Sequence, residues 1–230
     1  MKHIKIIIAA AALFLLASCT FIRINRNVVS EEKNSVPPGE EVSQIGDASV
    51  FTINVPADIK YVQTPGKPYL TIMATPAIRE QIVILQDGSG VTVKSRGNHI
   101  KGNVKDLDIR IGTSSLTELN INGAADFEID GGLEAPHFTL NTNGASEVDI
   151  DRLMAGEIIV NINGAADIDL KHVECDKINV TVNGAGDISI GGHASAAALS
   201  VNGAGEIDVR MLVADELVSD IHGLGRSKRR

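Results

Sequence analysis

A five-residue motif returns at a nearly constant interval through the second half of the chain. It consists of Asn-Gly-Ala, then a small residue, then an acid, and its asparagines are Asn122, Asn143, Asn163, Asn183 and Asn202. Successive copies are 21, 20, 20 and 19 residues apart, and a degenerate sixth copy places His222 another 20 residues along. Such a fixed period predicts an array of one supersecondary unit that stacks copy upon copy.

Two all-β architectures are compatible with this array. An Asn-Gly pair between alternating apolar runs is typical of a tight hairpin turn, which would make the repeats an antiparallel meander. Columns of similar residues instead favour a parallel β-helix, with one coil per copy. An apolar residue precedes nearly every motif asparagine, in the column Ile121, Thr142, Ile162, Val182, Val201 and Ile221. Small residues lie eight positions before it, in the column Ser114, Ala135, Ala155, Cys175, Ala194 and Ala214. We therefore predict an all-β fold, a right-handed, parallel β-helix-like solenoid with coils of about 20 residues.

The motif also predicts the chemistry of a corner in each coil. Glycine adopts backbone angles that other residues avoid, and asparagine tolerates or hydrogen-bonds such turns. Stacked asparagines can also pass amide hydrogen bonds from coil to coil. The predicted turn residues are Asn122 and Gly123, Asn143 and Gly144, Asn163 and Gly164, Asn183 and Gly184, and Asn202 and Gly203.

The chain divides into one folded domain and shorter segments at its ends. Residues 45–111 lack the repeat but contain strand-like segments such as SVFTINV and YLTIMA. We expect this part to be an irregular β region that caps the first coil and covers its edge. Together with the repeats at about 112–225, it forms a single predicted domain at 45–225. Residues 226–230, RSKRR, are expected to be a solvated basic tail.

The N-terminus carries the pattern of an export signal. Two lysines precede an apolar run that is too short to span a bilayer and that ends in LASC, where the cysteine is Cys19. This tetrapeptide resembles the bacterial lipobox, so residues 1–18 are interpreted as a lipoprotein signal peptide and Cys19 as the lipidated residue. Residues 19–44 contain charges and a Pro-Pro-Gly run without an apolar period, which predicts a tether. We expect a membrane-anchored protein at the outer membrane or cell surface, or on a periplasmic face.

Acidic residues follow every turn. They form one column of Asp126, Glu147, Asp167, Asp187 and Glu206, and a second column of Glu128, Asp149, Asp169, Ser189 and Asp208, in which Ser189 is the one residue that is not an acid. Carboxylates at the ~4.8 Å spacing of stacked strands repel one another, so we expect a hydrated surface with raised pKa values. Rows of oxygen ligands also predict weak Ca²⁺ binding at the first column, and no other cofactor is expected. The net charge of −8 argues against a nucleic-acid partner.

No residue type stands out as catalytic. Glycosidases need a carboxylate pair across a cleft, but here the acids recur in every coil and no coil carries a singular constellation. A carbohydrate-active β-helix enzyme remains the alternative, and a carboxylate pair beside a base on one coil would favour it. His172 and Cys175 resemble half of a metal site, but further ligands at fixed spacing are lacking, so no metal is assigned.

The combination of these features resembles a known family. The lipobox, the FTINVPADIKYVQ segment and the serial NGAGD copies are similar to those of the head GIN domain family, commonly labelled auto-transporter adhesins and abundant in Bacteroidetes. The resemblance covers residues 45–225. It implies an exported, often lipid-anchored all-β protein with β-helical coils. We expect a non-enzymatic binding, adhesin-like or structural module of the cell envelope, whose partner is a protein, a polysaccharide or another copy of itself.

Overall fold

The structure is a computed structural model that describes residues 39–102, 104 and 107–229. Within these residues the first part of the chain forms seven strands and one short helix: β1 Glu40–Gln44, β2 Val50–Asn54, β3 Ala57–Gln63, β4 Tyr69–Met73, α1 Pro76–Arg79, β5 Ile82–Asp87, β6 Gly90–Ser95 and β7 Asp108–Thr113. The repeats form six longer strands: β8 Glu118–Asp130, β9 Leu133–Ile150, β10 Leu153–Gly184, β11 Asp187–Gly203, β12 Glu206–Gly223 and β13 Arg226–Lys228.

The repeats wind into a β-solenoid of about six turns over residues 118–228. Consecutive strands from β8 to β13 pair in parallel, one repeat period apart, so that Asn122 lies beside Asn143 and Asn183 lies beside Asn202. Strand pairing continues through the Asn-Gly positions rather than reversing there, which excludes the antiparallel meander. The predicted β-helix-like solenoid is confirmed.

The interior of the solenoid is filled by the predicted apolar columns. The residues that precede the motif asparagine are nearly inaccessible in the first five coils, with exposed fractions of 0–1% from Ile121 to Val201. Successive residues of a strand point to opposite faces, so the acids beside each buried residue lie outside. One continuous hydrophobic cluster extends from Ile45 to Leu212. The coils therefore share a single core instead of each having its own.

The N-terminal part adds layers to the solenoid stack and then covers the end of that stack. β2 and β3 pair in parallel with β8, with Phe51 beside Leu119 and Ile59 beside Phe127. β6 and β7 in turn pair in parallel with β2 and β3, which adds a second layer. Antiparallel strands then end the stack, because β4 pairs with β7, β5 with β6 and β1 with β4. The predicted irregular β region that caps the coils is confirmed, and it includes two layers in solenoid register.

Two predicted boundaries differ from the structure. β1 begins at Glu40, inside the predicted tether, because the segment up to Gln44 pairs with β4. β13 covers Arg226–Lys228, so most of the predicted basic tail extends the sheet along β12. The predicted signal peptide, Cys19 and residues 19–38 lie outside the described residues. Among the residues that are described, no helix has the length and hydropathy needed to cross a bilayer.

Candidate binding face

The two acidic columns lie side by side on one outer face of the solenoid. Parallel pairing places Asp126, Glu147, Asp167, Asp187 and Glu206 next to one another from coil to coil. The second column runs two residues further along each strand. Between Glu147 and Asp208 the two columns line an open, shallow groove of about 340 Å³. We call these two columns, from β8 to β12, the acidic face.

At the N-terminal end of the acidic face, the columns continue into the capping region. Asp58 and Asp108 extend the first column in register. In the second column the equivalent residues are basic, Lys60 and Arg110. The Lys60 Nζ atom lies 2.7 Å from Glu128 Oε2, and this contact raises the pKa of Lys60. This extension was not predicted from the sequence, although NVPADIK, from the end of β2 into β3, aligns with NGAADFE in the first full repeat.

Basic residues also border the C-terminal end of the acidic face. β13 places Arg226 beside Glu206 and Lys228 beside Asp208, and the Lys228 ammonium forms an ion pair with Glu206. Arg210 forms a second ion pair with Asp208 through its guanidinium. Its hydrogen bonds hold the pKa of Asp208 down at about 2. This shift is opposite to the raised pKa expected from stacking alone, because a base two residues away outweighs the neighbouring carboxylates.

A ladder of amide hydrogen bonds runs along the corner next to the acidic face. The Asn143 Nδ2 donates to Asn122 Oδ1 at 3.0 Å, and the same bond recurs up the stack at 3.2, 3.0 and 3.1 Å as far as Asn202. Asn122 also donates to Asn54 at 2.8 Å, which extends the ladder into β2. A second ladder, which sequence reasoning missed, joins Asn120, Asn141 and Asn161 at 2.9 Å per bond.

The remaining singled-out residues show no reactive arrangement. Cys175 is buried with an exposed fraction of 7%, and burial raises the pKa of its thiol to about 11. His172 contacts the backbone oxygen of Asp151 at 2.9 Å instead of joining Cys175. In the described part of the chain, no group of three or more His, Cys, Asp or Glu side chains is arranged to hold a metal ion. Weak Ca²⁺ binding at the acidic face stays a prediction.

Fold and surface together define the class of protein. It is a capped parallel β-solenoid whose flank repeats the same acidic surface in coil after coil, with its asparagine ladder alongside. The chain belongs to the family described as "Putative auto-transporter adhesin, head GIN domain", whose profile matches residues 51–228. The resemblance inferred from the motifs is confirmed.

Solved structures share the fold at low sequence identity. A protein from Parabacteroides distasonis described as a "putative lipid binding protein" has a TM-score of 0.72 at 21% identity, over 83% of this chain and 81% of the other. A "putative adhesin" from Bacteroides fragilis has a TM-score of 0.68 at 18% identity, over 83% and 96% of the two chains. A second "putative adhesin" from Parabacteroides distasonis has a TM-score of 0.75 at 18% identity, over 83% and 80%.

A comparison with curated proteins finds no match. The descriptions of the family and of the structural neighbours fit a non-enzymatic binding module. Membership of an adhesin family also indicates a protein of the cell surface or envelope.

Proposed function

We propose that this protein is an envelope-anchored, adhesin-like binding module that uses the acidic face to hold a partner with an extended cationic surface. The observation that carries the proposal is the register of the two acidic columns over five coils, bordered by basic residues at both ends. Membership of the adhesin family supports a role in binding. A row of like charges on a rigid scaffold attracts the opposite charge over a long distance and aligns it.

The shape of the surface supports a broad partner over a small molecule. Small-molecule sites are concave and mostly apolar, whereas the groove along the acidic face is open and lined largely by carboxylates. Strand stacking repeats the carboxylates about every 4.8 Å, so a partner with regularly spaced bases can contact several coils at once. A basic protein segment has this chemistry. Several weak contacts made at once, one per coil, give a higher affinity than any single contact.

The same geometry weighs against the carbohydrate-active enzyme. Four of the five described coils carry the same carboxylate pair, the coil with Ser189 being the exception, and the only basic residues in the two columns of the described chain lie at their ends. A glycosidase instead separates the roles of its two carboxyl groups by giving them different surroundings.

Charge removal on the acidic face tests the binding proposal. The variant Glu147→Gln, Asp167→Asn and Asp187→Asn removes three charges from exposed positions in three successive coils. The control Glu134→Gln, Glu174→Gln and Asp176→Asn removes three exposed charges elsewhere on the solenoid. We expect the full-length protein to bind polylysine and to capture an envelope protein in a salt-sensitive manner, and only the first variant to lose both. Equal binding by wild type and both variants, or equal loss in both variants, would contradict the proposal.

The proposed membrane anchor rests on the LASC tetrapeptide. Cys19→Ala should abolish incorporation of a labelled lipid precursor and release the protein from the membrane fraction, because acyl chains supply the membrane affinity. Cys175→Ala is the matched control, since Cys175 is buried in the solenoid. Unchanged lipid incorporation in Cys19→Ala would show that Cys19 is not the anchor.

A further inference from the structure

The two ends of the solenoid differ in how far other strands cover them. At the N-terminal end, antiparallel strands β1, β4 and β5 cover the parallel layers. At the C-terminal end, β13 pairs with β12 only over Glu206–Asp208. No other strand of the described chain covers the outer edge of β12 from Val209 to Gly223. An uncovered edge of this length is a template for pairing with another strand.

The same end exposes most of the large apolar side chains found on the described surface. Seven such residues are exposed, and five of them lie in the last turn: Met211 at 71%, Val213 at 55%, Val218 at 67%, Ile221 at 36% and Leu224 at 86%. We call these five residues the end patch. Clusters of exposed apolar side chains on a soluble surface mark interaction sites.

Comparison within columns shows that the end patch is not a general property of the coils. Val213 occupies the column in which the two preceding coils have Glu174 and His193. Ile221 belongs to a core column whose preceding member, Val201, is fully buried. At the position of Val213 the last coil therefore carries an apolar residue where the two preceding coils are polar, and its core residue Ile221 lacks the covering coil that the others have.

We infer that the C-terminal end is the contact surface of a two-fold homodimer, in which the end coils of two copies of this chain stack on each other. A coil edge is covered best by another coil edge, because only that pairs the main chain and continues the apolar columns. Head-to-tail stacking is disfavoured because antiparallel strands cover the opposite end. An isologous contact closes after two copies, so it leaves no free solenoid edge. This surface adjoins the acidic face at β13, but the inference does not depend on the proposed function.

Charge complementarity supports the two-fold arrangement. The exposed acids Asp215, Glu216 and Asp220 precede the corner of the last coil at His222, whose Nε2 lies 3.2 Å from Asp220, while the exposed bases Arg226 and Arg229 follow that corner. A two-fold axis across the end reverses the direction of the coil in the second copy. The basic side of each copy can then lie against the acidic side of the other, which favours this register over one that opposes like charges.

The test compares the association of three full-length proteins in detergent solution. Sedimentation velocity is measured for wild type, Val213→Lys and Met154→Lys from about 1 µM to about 1 mM, the range of a weak to moderate interface. Met154 is the matched control, since it is exposed and lies in the column of Val213, but three coils earlier. We expect wild type and Met154→Lys to dimerise alike, and Val213→Lys to raise the dissociation constant severalfold, because it removes apolar area at the edge of the contact and adds a positive charge to both copies.

Hydrogen exchange keeps the proposal falsifiable if Val213→Lys lowers stability. The amides of Val209 to Gly223 should gain protection as wild-type concentration rises, while those of β9 stay unchanged. Three outcomes would overturn the inference: a monomer at every concentration, equal dissociation constants for all three proteins, or edge amides protected equally at every concentration. The last would mean that the chain covers its own edge.

Discussion

At Gly164 the φ angle is +146°, and a Cβ atom would lie 2.2 Å from the carbonyl oxygen of Gly144 in the coil below. Gly184 and Gly203 have the same contact with the coils below them. The glycine of the motif is therefore required twice, by its backbone angle and by the close approach of the stacked coils. Gly123 differs, because a Cβ atom there would meet nothing within 4 Å.

This difference gives a prediction at the scale of one residue. Gly164→Ala should lower the free energy of unfolding by about 2–4 kcal/mol, through backbone strain and steric overlap together. Gly123→Ala, with φ +119° but open space, should lower it by only about 1–2 kcal/mol. Urea denaturation of both variants measures the difference. Equal losses of unfolding free energy in the two variants would mean that the contact between coils is not the reason for glycine at position 164.

A second prediction concerns Asp208, whose pKa of about 2 depends on Arg210. The lowered pKa means that this ion pair stabilises the folded state above the ordinary value of 3.8, and that the contribution is lost as pH falls through about 2. Arg210→Gln should return the Asp208 pKa toward 3.8, as followed by NMR of the carboxyl carbon. A pKa that stays near 2 in this variant would assign the shift to another group.

At the scale of the coil, each column behaves as one structural unit, and a misfit in it should be measurable. Thr142 is almost fully buried between coils that carry isoleucine at its position, and its hydroxyl finds no hydrogen-bond partner among the described residues. Thr113 is equally buried, but its hydroxyl donates to the Ser115 carbonyl oxygen at 2.8 Å and contacts the Tyr61 hydroxyl. The two buried threonines therefore differ in one respect: within the described chain the Thr113 hydroxyl is hydrogen-bonded, and the Thr142 hydroxyl is not.

Replacement of each threonine by valine should have opposite effects. Thr142→Val should raise the free energy of unfolding by about 1 kcal/mol, since it removes an unsatisfied buried hydroxyl while keeping the shape. Thr113→Val should lower it by about 1–2 kcal/mol, because it breaks hydrogen bonds in a buried site. Chemical denaturation of the two variants is the measurement. A loss of stability in both would mean that the Thr142 hydroxyl is hydrogen-bonded in the folded protein.

At the scale of the whole molecule, the acidic face places many like charges on one side of a protein whose net charge is −8. Two carboxylates about 4.8 Å apart repel by about 0.9 kcal/mol in water, and salt screens this repulsion. The melting temperature of the full-length protein should therefore rise by a few degrees between about 0.01 and 1 M NaCl. The variant Glu147→Gln, Asp167→Asn and Asp187→Asn should respond less.

Divalent cations extend the same measurement. If screening alone acts, Ca²⁺ and Mg²⁺ at matched ionic strength should raise the melting temperature equally. A larger effect of Ca²⁺ would support the predicted weak binding at the first acidic column, because Ca²⁺ accepts more oxygen ligands with looser geometry. A melting temperature that is indifferent to all three salts would mean that the carboxylates are too well hydrated to interact.

The repeat pattern alone predicts the solenoid, since a 20-residue period with apolar, small and acidic columns leaves few ways to bury one face and hydrate the other. It also predicted the stacking of the motif asparagines, the position of the acidic columns and the family. The asparagine stack and the acidic columns involve residues one repeat apart in the sequence, and the repeat period predicts that such residues are neighbours in space.

The order of the capping strands is not encoded by the period and depends on tertiary packing. β6 and β7 stack beyond β2 and β3 although they follow them in the chain, and Val55 and Pro56 replace the Gly-Ala that marks the other coils. This arrangement brings Lys60 and Arg110 to the N-terminal end of the acidic face. Contacts between segments of different composition depend on the path of the chain and on how its ends are covered. Only packing of the whole molecule determines them, because no local pattern distinguishes a capping strand from a coil.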